Sequence, residues 1–321
     1  MMSEKLQRLP NFLKRYGIFH GLRLGFGVKG QGSDTAAQEK PVAVPDYSRP
    51  IWIRPIRSDY SIFWQSIVRE QYKLSEFPQM QAVIERGKAL MAQGKVPVIV
   101  DGGGNIGLSL RSFARDFPFA HVVSVEPDAE NLRVLTANAA EVPSGKTLMH
   151  GGVASRSGFC RVVARERGSA GLMTQYCEES HPEAVRTFTV PELVAQIPNG
   201  TSWIVKLDIE GAQDEMFSQN CEWVGEADLI ILELDDWAFP WSGSSVNFFK
   251  ALSEHKFDYL LSGERILCFR HTENTPPIRD IKPMTESTAP KPGTNCEMTA
   301  PPTISASENG DTQARPLFDA A

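Results

Sequence analysis

The chain has 321 residues, with 33 Lys and Arg against 39 Asp and Glu, a formal net charge of -6. That balance argues against a general nucleic-acid binder, which presents an overall basic charge or a long basic stripe. The length suits one large domain with appendages or two small ones, and no apolar run reaches the ~18 to 20 residues that span a bilayer.

Residues 1–45 read as a basic segment and linker. The first thirty carry Lys5, Arg8, Lys14, Arg15, Arg23 and Lys29 against the single acid Glu4, interleaved with Leu6, Leu9, Phe12 and Leu13. The expectation is a solvated helix packed loosely on the domain, with weak peripheral membrane association or partner binding as the alternative. The opening stretch has no signal-peptide core, so a cytoplasmic location is expected. The five cysteines are scattered with no C-x-x-C pair, which fits reduced structural thiols. Residues 46–95 extend the catalytic domain: "PIWIRPIRSDYSIFWQSIVREQY" reads as a short strand, a Ser58 or Asp59 N-cap, and a helix bearing Ile62, Phe63 and Ile67.

From residue 96 to about 275, strands alternate with helices. "VPVIVD" (96–101) is a continuous buried strand, followed by a glycine turn and a helix with Ile106, Leu110, Phe113 and Phe117 on one face. "HVVSVEPD" (121–128) is the second strand, and Asp128 can cap the helix after it. "TLMHGG" is the third. "GFCRVVAR" and "VRTFTV" are strand-like and read as a small insertion. "WIVKLDIEGA" (203–212) and "ADLIILELDD" (227–236) are the fourth and fifth, and "FDYLLSGERILCFRH" (257–271) is a hairpin. The pattern predicts an α/β fold, a Rossmann-like, mainly parallel doubly wound sheet whose last strand is antiparallel. Beyond residue 276 a tail rich in Pro, Thr and Ser reads as disordered.

The glycines of "VIVDGGGNIG", at 102, 104 and 107 with Asn105 between them, fit G-x-G-x-x-G. Asp101 closes that strand, and a carboxylate beside a pyrophosphate adds negative charge where the site must accept it. A cationic cofactor without phosphate fits better. S-adenosylmethionine is one: its sulfonium and amino group sit near Asp101 while the glycines make room for its tail and ribose. Glu126, about twenty residues on at the end of the second strand, is placed to accept both ribose hydroxyls. Asp208 and Glu210, at the end of the fourth strand, face the same cleft.

At this point the chain resembles the FkbM-type S-adenosylmethionine-dependent methyltransferases. The matching elements are "VDGGGNIG", "VEPDAENLRVLTANAA", "WIVKLDIEGAQDEMF" and "ILELDDW", over Val96 to Trp237. The resemblance implies methyl transfer, commonly to a hydroxyl of a sugar, polyketide or other small-molecule or glycan acceptor. One departure stands out: Ser155 occupies the place of an expected Asp for the adenine amino group, with His150 or a backbone carbonyl as substitutes. Asp208 is the first candidate general base and Glu210 the second, with Lys206 tuning either. Glu233, Asp235 and Asp236 with Asp208 form an alternative divalent-cation site. Trp237, Phe239 and Trp241 either stack on an acceptor or cover the core. The rival readings are an NAD-dependent oxidoreductase and a non-catalytic cofactor-binding module.

Overall fold

The computed structural model describes residues 2–28, 36–143, 145–164, 172–209, 211–236 and 239–272. The expectations for Glu210, Trp237 and the tail fall outside these residues. Helix α1 (Met2–Gly27) is broken at Gly17, where φ is 70°. Strands β1 (Lys40–Val42) and β2 (Ile51–Ile53) pair antiparallel. Helix α2 (Arg57–Phe63) continues into a π-helical turn over Trp64–Val68, and α3 (Gln79–Ala92) leads to the first strand of the large sheet.

That sheet is built from β3 (Val96–Gly102), β4 (His121–Glu126) and β5 (Lys146–His150), with α4 (Leu108–Asp116) and α5 (Ala129–Ala140) as crossovers. The chain then leaves it. Strands β6 (Gly152–Val153), β7 (Gly158–Ala164), β8 (Leu172–Tyr176) and β9 (Val185–Phe188) form a separate sheet in the order β6-β9-β7-β8. This is the expected insertion, with β8 as a further strand. After α6 (Val190–Ala195) the chain returns through β10 (Gly200–Leu207), α7 (Gln213–Met216), β11 (Leu229–Glu233) and α8 (Val246–Ser253). The hairpin β12 (Phe257–Ser262) and β13 (Arg265–Arg270) ends it.

The large sheet runs β12-β13-β11-β10-β3-β4-β5. Six strands run in one direction, and β13 alone is antiparallel to both its neighbours. This is a doubly wound, Rossmann-like arrangement. The continuous apolar runs follow from burial on both faces. Val98, Val100, Val205 and Ile230 point into one core with α6 and α8, whereas Ile99, Ile204, Leu229 and Ile231 point into the other with α3, α4 and α5. Trp203, fully buried, donates its indole N–H to the Val83 carbonyl of α3 at 2.8 Å.

The N-terminal third packs more closely than its sequence implies. Phe12, Leu24 and Val28 are buried with Ile51, Phe63 and Ile67 against Ile106, Leu108 and Val134, around the start of α4. Each such side chain contributes roughly 1.5–3 kcal/mol. The outer stripe of α1, with Ile18, Phe19, Leu22 and Phe26, is exposed. Helix α2 begins at Ile56 without a side-chain cap. Asp59 is instead fully buried and accepts three bonds from Arg54, through its amide, Nε and Nη2, at 2.8 to 3.0 Å. Asp128 does cap α5, accepting from the Asn131 amide at 2.8 Å. No described helix is long and apolar enough to cross a membrane.

Candidate active site

In an open parallel sheet, ligands bind beyond the carboxyl ends of the strands where the strand order reverses. Here the reversal falls between β3 and β10, whose register pairs Asp101 with Lys206 and Gly102 with Leu207. The expected residues therefore converge, but several are engaged differently from what their types imply.

Asp101 is fully buried. One carboxylate oxygen accepts from the hydroxyls of Ser109 and Ser124, each at 2.8 Å, and the other lies 3.1 Å from the Lys206 ammonium. Its carboxylate is thus engaged within the fold at the glycine turn. Lys206 donates to the Gly102 and Gly103 carbonyls at 3.0 and 2.7 Å and stands 3.7 Å from Asp208. Burial alone would lower its pKa; the neighbouring Asp101, Tyr72 and Asp208 reverse the sign and hold it above the usual lysine value. Lys206 thus pins the turn to the strand.

The glycines are needed by the protein itself. A Cβ on Gly104 would lie 2.2 Å from the Ser124 hydroxyl and 2.8 Å from Leu135; one on Gly102 would press on Leu207 and Val153 at 3.1 Å, and one on Gly107 on Leu135 at 3.2 Å. The strictest position is Gly103, which the x of the motif hides: its φ is +72° and a Cβ would lie 2.1 Å from the Asp208 carbonyl oxygen. Gly104→Ala is expected to cost about 1 to 3 kcal/mol, because relief requires moving Ser124 off Asp101. Urea denaturation measures it, and an unchanged midpoint would count against the packing account. Loss of cofactor binding in such a variant would follow from the fold, so a bulky residue at 104 does not probe the ligand alone.

The turn's amides are also occupied. Those of Gly103 and Gly104 donate to the Val125 carbonyl at 3.1 and 2.9 Å, that of Asn105 to Glu126 at 2.7 Å, and that of Gly107 to the Gly104 carbonyl at 2.8 Å. Glu126 is buried at the end of β4, its other oxygen accepting from the Asp128 amide at 3.0 Å. Burial pushes its pKa up to about 7 despite those donors.

Ser155 is buried, and its hydroxyl donates to the Glu215 carboxylate while accepting from Gln219 at 3.2 Å. Tyr176 of β8 also donates to Glu215, at 2.9 Å. The carboxylate at this end of the cleft is therefore Glu215, supplied by α7, and Ser155 orients it. His150 contacts the Pro127 carbonyl at 3.1 Å. Glu215 lies within the quoted element "WIVKLDIEGAQDEMF", but its role is marked only by the placement of α7 beside the loop after β6.

Asp208 has a side chain 41 % exposed. It lines, with Tyr72, Lys206, Glu233 and Arg265, a small pocket at the ends of the strands. Tyr72, from the extension upstream of β3, was not singled out by sequence; burial raises its pKa to about 12. Asp235 is buried and accepts the Gly211 amide at 2.6 Å, so it holds the turn after β10. Asp236 accepts from Ser245 at 3.1 Å. Among the described residues no three His, Cys, Asp or Glu side chains group to hold a metal ion. Trp241 is fully exposed and does not cover the core.

No protein-family model matches the sequence, and no curated protein matches it either. Among solved structures, the chain is similar to a protein assigned as an O-methyltransferase in Klebsiella pneumoniae, at 12 % identity over 64 % of this chain and 94 % of that one, with a TM-score of 0.34. It is also similar to precorrin-6y C5,15-methyltransferase from Geobacter metallireducens, at 10 % identity over 54 % and 78 % of the two chains, TM-score 0.31. The bifunctional kinase-methyltransferase WbdD aligns at 15 % identity over 60 % of this chain and 39 % of its own, TM-score 0.31. At such scores these likenesses leave acceptor and residue roles to the site itself.

Proposed function

We propose that the chain is an S-adenosylmethionine-dependent methyltransferase, of the FkbM type by its sequence elements, acting on a hydroxyl of a small-molecule or glycan acceptor. The observation that carries this reading is the state of the glycine turn. A dinucleotide pyrophosphate is held by free amides at the turn and helix N-terminus. Here the amides of Gly103, Gly104, Asn105 and Gly107 are all engaged internally, and Lys206 is pinned to the carbonyls below.

What the cleft offers instead is acceptors: Glu126 at one end, Glu215 with Ser155 near it, and Asp208 at the end of β10. That donor-poor set fits a ligand with two ribose hydroxyls, an adenine amino group and a cationic amino-acid tail, and suits a nicotinamide dinucleotide poorly. Glu126 would take the hydroxyls, Glu215 the amino group, and Asp208 with the backbone of residues 102–105 the tail. Bound S-adenosylmethionine supplies an electrophilic methyl group. Asp208 is the side chain positioned to take the acceptor's proton at a carboxylate oxygen, while Lys206 holds it in place. The cation alternative is not carried forward.

Calorimetric titration of the full chain with S-adenosylmethionine and with NAD tests the cofactor, and turnover against a hydroxyl-acceptor panel separates an enzyme from a binding module. Binding of NAD alone would overturn the reading. A pH series adds a sharper expectation. Glu126 has a folded pKa of about 7 against an ordinary 4.5, so the folded protein holds the extra proton between those values and its stability falls as pH rises through that window. Hydroxyl donors favour the carboxylate, so cofactor affinity is expected to fall by up to about 10-fold per pH unit below pH 7. Glu126→Gln should flatten that profile and weaken binding at pH 8 by about 1.5 to 3 kcal/mol. A flat profile in the wild type would show that Glu126 does not meet the ligand.

A further inference from the structure

Arg265 opens β13, opposite Glu233 at the end of β11, and its side chain is only 7 % exposed. Its guanidinium lies 5.2 Å from the centre of the Tyr72 ring. Nη2 reaches the Ser262 hydroxyl at 3.5 Å, whereas Nη1 is buried with no hydrogen-bond partner among the described residues. Burying a guanidinium is costly unless its donors are met. Packing on Tyr72 accounts for the plane of the group but leaves Nη1 unexplained. The other basic groups of the cleft floor are not in this state: Lys206 has three oxygens within 3.1 Å.

Arg265 lines the same pocket as Asp208 and Tyr72. Asp208 and Glu233 face it from the ends of β10 and β11 and temper its field, and Arg69 adds a second positive charge. Neither carboxylate bonds Nη1. A guanidinium with Nη1 unmet and Nη2 held only by a long bond, beside the candidate base, suits an oxyanion, which Arg binds through its fixed geometry.

We propose that Arg265 receives an anionic group of the acceptor, a carboxylate or a phosphate, and so presents a neighbouring hydroxyl to Asp208. This deepens the methyltransferase reading and rests on it for the word acceptor, but the anion site is tested without the cofactor. The probes are inorganic phosphate and acetate, each compared with sodium chloride at matched ionic strength, in thermal melts of the full chain and of Arg265→Met. Ligand linkage predicts that one or both anions raise the wild-type Tm by a few degrees more than they raise the variant's. Phosphate above acetate marks a phosphorylated acceptor; the reverse marks a carboxylated one.

The general salting effect of phosphate acts on both proteins and cancels in the difference. Removing an unpaired buried cation should leave the fold intact, and Arg265→Gln serves if Met does not fold. Equal shifts in wild type and variant overturn the proposal. Where a hydroxy acid and its methyl ester are both turned over, the wild type should prefer the acid in kcat/KM by about 10- to 100-fold, the size of a charge-assisted hydrogen bond. Arg265→Gln should erase that preference, and a wild-type preference for the ester overturns the proposal. Absence of S-adenosylmethionine binding would remove the function reading while leaving the anion shift to be read by itself.

Discussion

Lys206→Met is expected to destabilise the protein by about 3 to 5 kcal/mol, the usual cost of stranding one member of a buried ion pair. The stranded member is Asp101, fully buried, with only the Ser109 and Ser124 hydroxyls left to it. The Gly103 carbonyl loses its Lys206 donor in the same step, while the Gly102 carbonyl keeps only the Asp208 amide. Guanidinium denaturation measures the loss. The double variant Lys206→Met/Asp101→Asn should recover at least half of it, because no charge is then left uncompensated. A single variant within about 1 kcal/mol of wild type would mean that water reaches the pair and that the turn is held by other contacts.

The second large effect is on rate. Asp208→Asn should keep the fold and, because an amide oxygen still accepts from the cofactor's ammonium, weaken cofactor binding only modestly, while lowering methyl transfer at saturating cofactor by about 100-fold or more, the range for losing a general base. Its carboxylate is the exposed one of the Asp101–Lys206–Asp208 group, so the substitution removes no buried charge. Asp235→Asn provides the contrast: an amide oxygen can still accept from Gly211, so activity should stay near wild type. Chelator should leave the wild type unaffected. A fully active Asp208→Asn enzyme, assayed at saturating cofactor, would leave catalysis to positioning alone.

The sheet was legible because burial on both faces writes itself as apolar runs: "VPVIVD", "WIVKLDIEGA" and "ADLIILELDD" each overlap their strands, the last two running three to five residues beyond the strand's end. The Asp128 cap and the closing hairpin were legible for a similar reason, being local chemistry over a few residues. What periodicity does not record is which polar groups find each other. Asp59 has the look of an N-cap in sequence, yet its partner Arg54 is met only because β2 and α2 fold back on one another. Asp101 reads as a ligand group until Lys206, more than a hundred residues later, arrives beside it. Gly103 hides in a variable position of its motif, and its need for glycine comes from the backbone of Asp208. Tyr72, Glu215 and Arg265 come from three separate segments, and nothing in their local spacing tells that they line the site.

The central pairing of β3 with β10 joins residues 104 apart in sequence. On the ribosome, β3, β4 and β5 can associate early, since their crossovers are short. The inner edge of β3, rich in valine and with its ladder groups unpaired, then waits until residue 207 has been made and the inserted sheet has folded out of the way. Long-range parallel pairing of this kind is slow, and an uncovered apolar edge invites association with other nascent chains. Soluble yield in a cell should therefore track the supply of chaperones more closely than it tracks the thermodynamic stability of the finished protein.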